Sequence, residues 1–257
     1  MTAGRRLKPR LYVVARPTLD EAEIAAFLAN EERSWRRTDG ATGPEELLEL
    51  AGRVCYLSFG VAQSGRSNAE YIARLVDQGH ESVLEHATWS FLLTGVSRGF
   101  THQFVRHRIG FSFSQLSQQY HDESDADAVM PEVVRRDEES AELFNEAVDH
   151  GQRAYRALLA RLESTAGERE DRERLRLIRT AARSVLPAAT ETKIFFSANG
   201  RSLRHFLTER GGIPGDEEMR VVSALLAAAL RREAPALVAD FTLEERDDGL
   251  PLVKRHR

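Results

Sequence analysis

Cysteine is nearly absent from this chain of 257 residues, in which Cys55 is the only one. A single cysteine excludes an internal disulfide and a cysteine-rich metal cluster. Cys55 could act as a nucleophile, but it follows Val54 in an apolar stretch, and free cysteines are most often buried. We therefore expect Cys55 to be a buried core residue.

The chain also lacks an excess of positive charge and long apolar runs. Its formal net charge is −4, which argues against general nucleic-acid binding. No segment approaches the ~20 apolar residues that span a bilayer. The apolar run at 11–15 is too short for the core of a signal peptide. We therefore expect a cytoplasmic protein with neither a membrane nor a nucleic-acid partner.

Lysine is scarce as well, because Lys8, Lys193 and Lys254 are the only lysines among 36 basic residues. Positive charge is therefore carried by arginine, whose planar guanidinium donates paired hydrogen bonds to phosphates and carboxylates. Segments rich in arginine are candidate anion-binding sites.

The pattern of apolar residues predicts helices and strands within one domain. Runs of β-branched and aromatic residues predict strands at 11–15, 87–96 and 193–196. Helices are predicted from apolar periodicity, from a capping box of Ser67 and Glu70, and from the breakers Gly79, Pro187 and Pro235. The predicted helices lie at 20–30, 44–50, 67–79, 98–106 and 138–166, before 187, at 202–210 and at 216–240. With no repeat and no low-complexity linker, residues 1–257 are expected to form a single α+β domain.

The long helix at 138–166 is expected to bury one apolar face, formed by Leu143, Ala147, Tyr155, Leu158 and Leu162. A charged turn is expected at 167–171. The acidic residues at 122–127 are expected to form a solvated loop.

Three consecutive cationic or titratable side chains, Arg106, His107 and Arg108, begin the segment 106–120, and hydroxyl and amide side chains follow them. The segment offers cations for a phosphate, and donors and acceptors for the edge of a heterocycle. A solvated arginine cluster that pairs with downstream acidic residues is the alternative. The run of neutral polar side chains favours a ligand.

The segment HESVLEH at 80–86 combines histidines and carboxylates. His80 and His86 are six positions apart, whereas paired metal ligands on a helix usually lie four apart. Ser82 also interrupts the short zinc pattern H-x-x-E-H. We predict no metal, and a polar turn that binds a ligand through Ser82 and Glu85.

Two further segments carry arginine. Asn199 and Gly200 predict a turn before a helix, whose N-terminus attracts anions. On that helix Arg201 and His205 share a face, and an exposed basic helix is the alternative interpretation. Arg183 lies between small apolar residues, where a partly buried guanidinium needs either a carboxylate or a ligand phosphate.

In this order, the segments resemble the flavin-dependent thymidylate synthases. The resemblance extends from Arg53 to about Phe241 and rests on RVCYLSFG at 53–60, HESVLEH at 80–86, the RHR segment with its serine, AARSVLP at 181–187 and NGRSLRHF with its following arginine. It implies a central, mainly antiparallel sheet flanked by long helices, and a homotetramer with active sites where subunits meet. It also implies reductive methylation at C5 of a uracil nucleotide, with FAD as cofactor, methylenetetrahydrofolate as carbon donor and NADPH as reductant.

The resemblance assigns roles to individual residues. Catalytic roles fall on Arg210, Ser117 and His80. Flavin contacts fall on Ser82, Glu85, Arg106, His107, Arg108, Ile109, Asn199, Arg201 and His205. Nucleotide contacts fall on Gln103, Gln115, Ser117, Gln118, Gln119, Arg183 and Arg210. A guanidinium beside the uracil would stabilise negative charge on its carbonyl edge, as an oxyanion hole does.

Three departures from the family pattern stand out. Eight residues, 109–116, separate RHR from Ser117, where seven are usual. Gln119 replaces an arginine, and the segment 211–214 lacks the expected histidine. Hydrogen bonds to charged groups contribute about 1.5–3 kcal/mol, so phosphate binding should weaken unless another cation, such as Arg98 or Arg66, substitutes.

These departures predict an altered choice of nucleotide, with UMP used beside or instead of dUMP. Such an enzyme would resemble the uridylate methylases of polyoxin-type antibiotic pathways, and the longer loop would leave room for a ribose 2′-hydroxyl. The alternatives are a dUMP-specific thymidylate synthase, a nucleotide-binding paralogue with weakened catalysis and, more distantly, a zinc hydrolase.

Overall fold

The computed structural model describes residues 7–63, 65–164 and 172–256, and it combines helices with antiparallel sheets. One sheet has the strand order β1-β2-β4-β3, with β1 at Arg10–Ala15, β2 at Thr88–Ser97, β3 at Phe111–Gln115 and β4 at Glu191–Asn199. A separate antiparallel hairpin pairs β5 (Phe241–Glu245) with β6 (Pro251–Arg255). The mixture of helix and sheet confirms the predicted fold class.

The α-helices are α1 (Glu21–Asn30), α2 (Gly43–Tyr56), α3 (Asn68–Asp77), α4 (Arg98–Phe104), α5 (Glu132–Arg135), α6 (Glu138–Ser164), α7 (Arg172–Ala182), α8 (Gly200–Arg210) and α9 (Glu217–Glu233). Short 3-10 helices occupy Gly60–Ala62, Glu81–His86, Arg183–Val185 and Pro235–Val238. Among the described residues, none of these helices is both long enough and apolar enough to cross a bilayer.

Local signals predicted several helix ends correctly. Ser67 and Glu70 form the predicted capping box, because each backbone N–H bonds the other residue's side chain, at 2.8 and 3.3 Å. Gly79 follows α3 with φ +70°. The helix predicted at 216–240 was too long, because α9 ends at Glu233, before the breaker Pro235. The predicted turn at 167–171 and residues 165–166 of the predicted long helix lie outside the described residues.

The described residues divide into two compact units. The first comprises those of Met1–Arg10, Leu93–Arg106 and Phe113–Phe195, and the second those of Leu11–Leu92, His107–Ser112 and Phe196–Arg257. The single domain over residues 1–257 stays a prediction.

In the first unit, α6 and α7 bury a small core of Tyr155, Leu159, Ile178 and Ala182. The predicted inward face of α6 was wrong in part, because Leu143 is 62% exposed and Leu158 is 37% exposed, and Ala147 is also exposed. The buried stripe instead follows Val148, Gly151, Tyr155 and Leu159. An added Cβ at Gly151 would lie 3.0 Å from the carbonyl oxygen of Val185, so this close approach sets the face of α6.

The acidic segment at 122–127 is not uniformly solvated, because Glu123 is buried. Its backbone N–H donates to the Tyr155 hydroxyl oxygen at 3.2 Å, which draws the residue towards the core of the first unit. Burial raises the pKa of the Glu123 carboxyl, and the nearby Arg98 opposes that rise. The prediction for this residue was therefore wrong.

The expectation of a buried Cys55 was also wrong, since the thiol is exposed. The buried positions of α2 include Glu45, Glu49, Gly52 and Arg53, which recur every three or four residues. Cys55 projects from the other face of this helix. Because the buried face of α2 carries charged side chains, the apolar residues next to Cys55 in the sequence did not mark the buried face of the helix.

A buried ion pair anchors α2 in the second unit. Glu49 Oε1 accepts hydrogen bonds from Arg53 Nε at 2.7 Å and from Trp35 Nε1 at 3.3 Å, while Oε2 accepts one from Asn68 Nδ2 at 2.8 Å. The side chains of Glu49 and Arg53 are each only 1% exposed. Each of these two charges is stabilised by the other, because water cannot solvate an unpaired charge at this buried position.

We expect Glu49→Gln to lower the free energy of unfolding by about 3–5 kcal/mol, the usual cost of leaving one partner of a buried ion pair without its counterion. Urea unfolding measures the change. Glu146→Gln on the exposed surface of α6 is the control and should stay within about 0.5 kcal/mol of the wild type. A Glu49→Gln variant as stable as that control would contradict the prediction.

Candidate functional site

In the second unit, the start of α8 holds the residues that follow the RHR motif. Asn199 ends β4 and caps α8, since its side chain accepts a hydrogen bond from Ser202 N at 2.9 Å. Ser202 Oγ donates to the carbonyl oxygen of Ile109 at 2.8 Å, and Asn199 N donates to that of Gly110 at 3.3 Å. Two segments that the sequence singled out are therefore in contact.

Gly110 allows this contact. Its φ is +69°, and an added Cβ would lie 2.1 Å from Ser202 Oγ and 2.6 Å from Asn199 Nδ2. A larger residue would strain the backbone and displace the segment from α8. Sequence reasoning missed the role of this glycine, although a glycine inside a polar binding segment is the usual signal of a close approach.

His107 and Arg210 meet in the same unit. Arg210 Nε donates to His107 Nε2 at 3.1 Å, and the His107 ring packs edge-on against Phe206 with centroids 5.0 Å apart. A guanidinium cannot accept a proton, so His107 must be neutral with its proton on Nδ1. Burial, followed by the charges of Arg210 and His205, lowers the pKa of His107, against a smaller opposing effect of Glu209.

Arg201, on the first turn of α8, reaches the segment 80–86. Its Nη1 donates to Glu85 Oε1 at 2.6 Å, and its Nε lies 3.5 Å from Glu81 Oε2. The three side chains are at least one-third exposed, and exposed ion pairs contribute little to stability. The arrangement therefore leaves charged groups at the surface that a ligand can bind.

Most of the residues assigned to flavin contacts are exposed. Ser82, Glu85, Arg108, Ile109, Arg201 and His205 are exposed in the second unit, and Arg106 is exposed in the first. His80, which was assigned a catalytic role, is also exposed in the second unit. Ile109 is 88% exposed although it is apolar. Among the described residues, no group of three His, Cys, Asp or Glu side chains is placed to hold a metal ion. The absence of a metal stays a prediction.

In the first unit, Arg98 contacts the segment 115–123, and the charge of Arg183 acts on Arg98. Arg98 Nη2 donates to the carbonyl oxygen of Leu116 at 2.6 Å and lies 3.9 Å from Glu123 Oε1, while its buried Nε has no hydrogen-bond partner. Burial, and then the charge of Arg183, lower the pKa of Arg98, and Glu123 opposes them. Two neighbouring guanidiniums with one buried carboxyl leave an excess of positive charge.

The residues assigned to nucleotide contacts differ in exposure and contacts. Gln115 Nε2 donates to Thr101 Oγ1 at 2.9 Å and to Thr192 Oγ1 at 3.3 Å, so both of its N–H groups are already bonded. Ser117 Oγ accepts a hydrogen bond from Gln119 N at 3.3 Å. Gln118 is buried, Gln119 and Arg183 are partly buried, and Gln103 is exposed.

The lowered pKa of His107 predicts a pH effect on stability. As the pH falls, the imidazole of the unfolded chain is protonated at about pH 6.5, whereas the folded one is protonated only at a lower pH. The free energy of unfolding should therefore decrease as the pH drops from about 6.5 towards the lower pKa of the folded state. We expect His107→Gln to lose this part of the pH dependence in urea unfolding. His150→Gln, at an exposed position of α6, is the control and should retain it. Identical profiles for wild type and His107→Gln would contradict the prediction.

Comparison with known proteins identifies the family. The family model described as "Thymidylate synthase complementing protein" matches residues 38–236. The flavin-dependent thymidylate synthase of Mycobacterium sp. (strain KMS) is 43% identical over 215 residues, which is 81% of this chain and 84% of that protein. That of Mycolicibacterium vanbaalenii is 42% identical over 225 residues, or 87% of this chain and 89% of that protein. That of Mycobacterium tuberculosis (strain ATCC 25177 / H37Ra) is 40% identical over the same shares.

These relatives confirm the resemblance that the five sequence blocks indicated. The chain belongs to the flavin-dependent thymidylate synthase family, a family of methyltransferase-type enzymes.

Proposed function

We propose that this enzyme methylates a uracil nucleotide at C5, with FAD as cofactor, methylenetetrahydrofolate as carbon donor and NADPH as reductant. The relatives named flavin-dependent thymidylate synthase support the reaction class. The observation that carries the proposal is the hydrogen bond of 3.1 Å from Arg210 Nε to neutral His107. We also propose a cytoplasmic homotetramer with active sites at its subunit interfaces.

The side chains of the second unit suit a flat, polar, anionic cofactor. Guanidinium, imidazole, hydroxyl and carboxylate groups at its surface can donate to and accept from both a diphosphate and a heterocycle. The residues that would hold FAD are Ser82, Glu85, His107, Arg108, Ile109, Asn199, Arg201 and His205, together with Arg106. A bound flavin supplies the redox chemistry of the reaction. Arg201 and Glu85, already paired at 2.6 Å, would orient one another for this role.

Arg210 would act on the uracil. Its Nε is held by His107, and its two terminal nitrogens have no hydrogen-bond partner among the described residues. A guanidinium fixed through one nitrogen presents its other donors in a defined plane. When bond formation at C5 places negative charge on the carbonyl edge of the base, such donors stabilise it in the manner of an oxyanion hole. His80 and Ser117 are the other residues proposed for catalysis.

Arg98 and Arg183 support a phosphate role for the first unit. Their mutual repulsion lowers the pKa of Arg98 after burial, and a bound phosphate would relieve it. Arg98 is therefore a candidate to supply the charge that Gln119 lacks. Gln103, Gln115, Gln118 and Gln119 would hydrogen-bond the nucleoside, with Gln115 using its amide oxygen because its N–H groups are already bonded.

We propose that the enzyme uses UMP beside or instead of dUMP, because the segment that follows the RHR motif departs from the family pattern. Gln119 is neutral where the family pattern has arginine, and the loop before Ser117 is one residue longer. A site with weaker phosphate binding and more room beside the sugar can accept a 2′-hydroxyl. Membership of an antibiotic-biosynthesis branch is proposed on the same ground. An ordinary dUMP-specific thymidylate synthase is the second candidate, because the relatives cited are named flavin-dependent thymidylate synthase.

We expect Arg210→Lys to lower kcat about 10²–10³-fold, the usual loss when one donor to a developing oxyanion is removed. Lysine lacks both the Nε that holds His107 and the planar fork. Formation of the 5-methyl nucleotide measures kcat, and the visible absorption of bound flavin shows whether the cofactor site survives. Arg232→Lys, at an exposed position of α9, is the control. A kcat within twofold of the control would exclude the role of Arg210.

Turnover of UMP and dUMP under the same conditions tests the nucleotide choice. We expect UMP to be methylated, and Gln119→Arg to lower the KM for both nucleotides about tenfold, since one added charge-assisted hydrogen bond is worth roughly 1.5–3 kcal/mol. Strict rejection of UMP would favour the dUMP-specific enzyme. Nucleotide binding without bleaching of the flavin by NADPH would favour the paralogue with weakened catalysis.

A further inference from the structure

A cavity of about 370 Å³ lies in the second unit, and its wall includes Arg53, Arg66 and Arg74. Tyr56 and Tyr71 contribute aromatic surface to the same wall. None of these five residues is assigned to a flavin contact, and Arg66 was named only as a possible substitute for the arginine missing at position 119. No ligand has therefore been assigned to this cavity.

Arg53, one of the lining residues, has a buried guanidinium nitrogen without a hydrogen-bond partner among the described residues. Its Nε donates to Glu49 at 2.7 Å and its Nη1 donates to the carbonyl oxygen of Ser58 at 2.9 Å. Its buried Nη2 has no hydrogen-bond partner among the described residues. The guanidinium carbon lies 4.8 Å from the centroid of the Tyr71 ring, a cation–π contact that leaves this N–H group unpaired. Buried donors of this kind normally have a partner.

The charges around the cavity favour an anion. Arg66 and Arg74 are both exposed, and neither makes a side-chain hydrogen bond with a described residue. No carboxylate is among the described residues that line the cavity. Two acidic groups of the same unit already have partners. Glu49 accepts from Arg53, Trp35 and Asn68, while Glu70 forms the capping box with Ser67 and also interacts with the charge of Arg66.

We infer that this cavity binds the anionic arm of a co-substrate. The chemistry that fits is a carboxylate or phosphate group joined to an aromatic or planar body, because guanidinium donors and tyrosine faces line one cavity. The inference rests on the proposed function, which supplies two sources of such a group. They are the glutamyl tail of the folate and the 2′-phosphate of NADPH.

His80 gives the cavity a connection to the reaction. It lines the same wall, and it is one of the residues proposed for catalysis. A co-substrate anchored by the arginines would therefore place part of its body beside His80. Arg66 and Arg74 would serve as positioning residues that hold the co-substrate by its charge, because the charge of Arg53 is already paired with Glu49.

The test uses the full-length protein with Arg66→Gln and Arg74→Gln combined. Arg53 is left intact, because its ion pair with Glu49 stabilises the fold. Calorimetry measures the Kd of NADP⁺ against NAD⁺, and of monoglutamyl tetrahydrofolate against tetrahydropteroate, which lacks the glutamyl group. We expect the double variant to bind the more anionic member of one pair about tenfold more weakly, as the loss of a charge-assisted hydrogen bond implies. Its affinity for the less anionic member should stay unchanged.

Arg33→Gln, which removes an exposed arginine of the second unit outside the cavity, is the matched control and should leave all four Kd values unchanged. Loss of discrimination in the nicotinamide pair would identify the 2′-phosphate as the bound group, and loss in the folate pair would identify the glutamyl tail. Equal discrimination by the wild type and the double variant in both pairs would overturn the inference.

The binding measurement separates this inference from the proposed function. If the double variant loses discrimination although the wild type methylates no uracil nucleotide, the cavity binds anions and the proposed reaction is wrong. If discrimination is unchanged while the wild type forms the 5-methyl product, the reaction stands and the role of the cavity is overturned.

Discussion

The hydrogen bond from Arg210 to His107 constrains the chemistry of the second unit. A guanidinium only donates, so its partner must accept, and an imidazole accepts only when it is neutral. Burial and surrounding positive charge favour the neutral form and thereby maintain the contact. The same contact joins two sequence segments 103 positions apart and fixes one nitrogen of Arg210. An arginine held in this way is a directed donor whose orientation is set before any substrate binds.

The arginines of this protein differ in burial, and the degree of burial determines whether their charge stabilises the fold or can bind a ligand. Arg53 is buried and tied to Glu49, so most of its charge is committed to the fold. Arg98 is partly buried, and its charge is opposed by Glu123 and repelled by Arg183. Arg201 is paired at the surface, where the pairing contributes little to stability. The scarcity of lysine is consistent with this pattern, since a guanidinium tolerates partial burial and still offers paired donors.

Features that depend on local chemistry could be predicted from the sequence, whereas features that depend on packing could not. The Ser67–Glu70 capping box and the start of α8 after its cap Asn199 both follow from residues within a few positions of each other. The face of α6 depends on the close approach at Gly151, which apolar periodicity does not encode. The family and the segments of the site were identified from motifs. The partners of Arg201 and Arg210 became known only from the fold.

The exposure of Cys55 has a consequence for handling the protein. Because the chain holds no second cysteine, a disulfide at this thiol cannot close within one molecule and must join two molecules or a small thiol. A covalent dimer on a non-reducing gel would thus report air oxidation directly. The same thiol precedes Tyr56, so a single maleimide dye attached there would sit one residue from the cavity wall and could sense its occupancy.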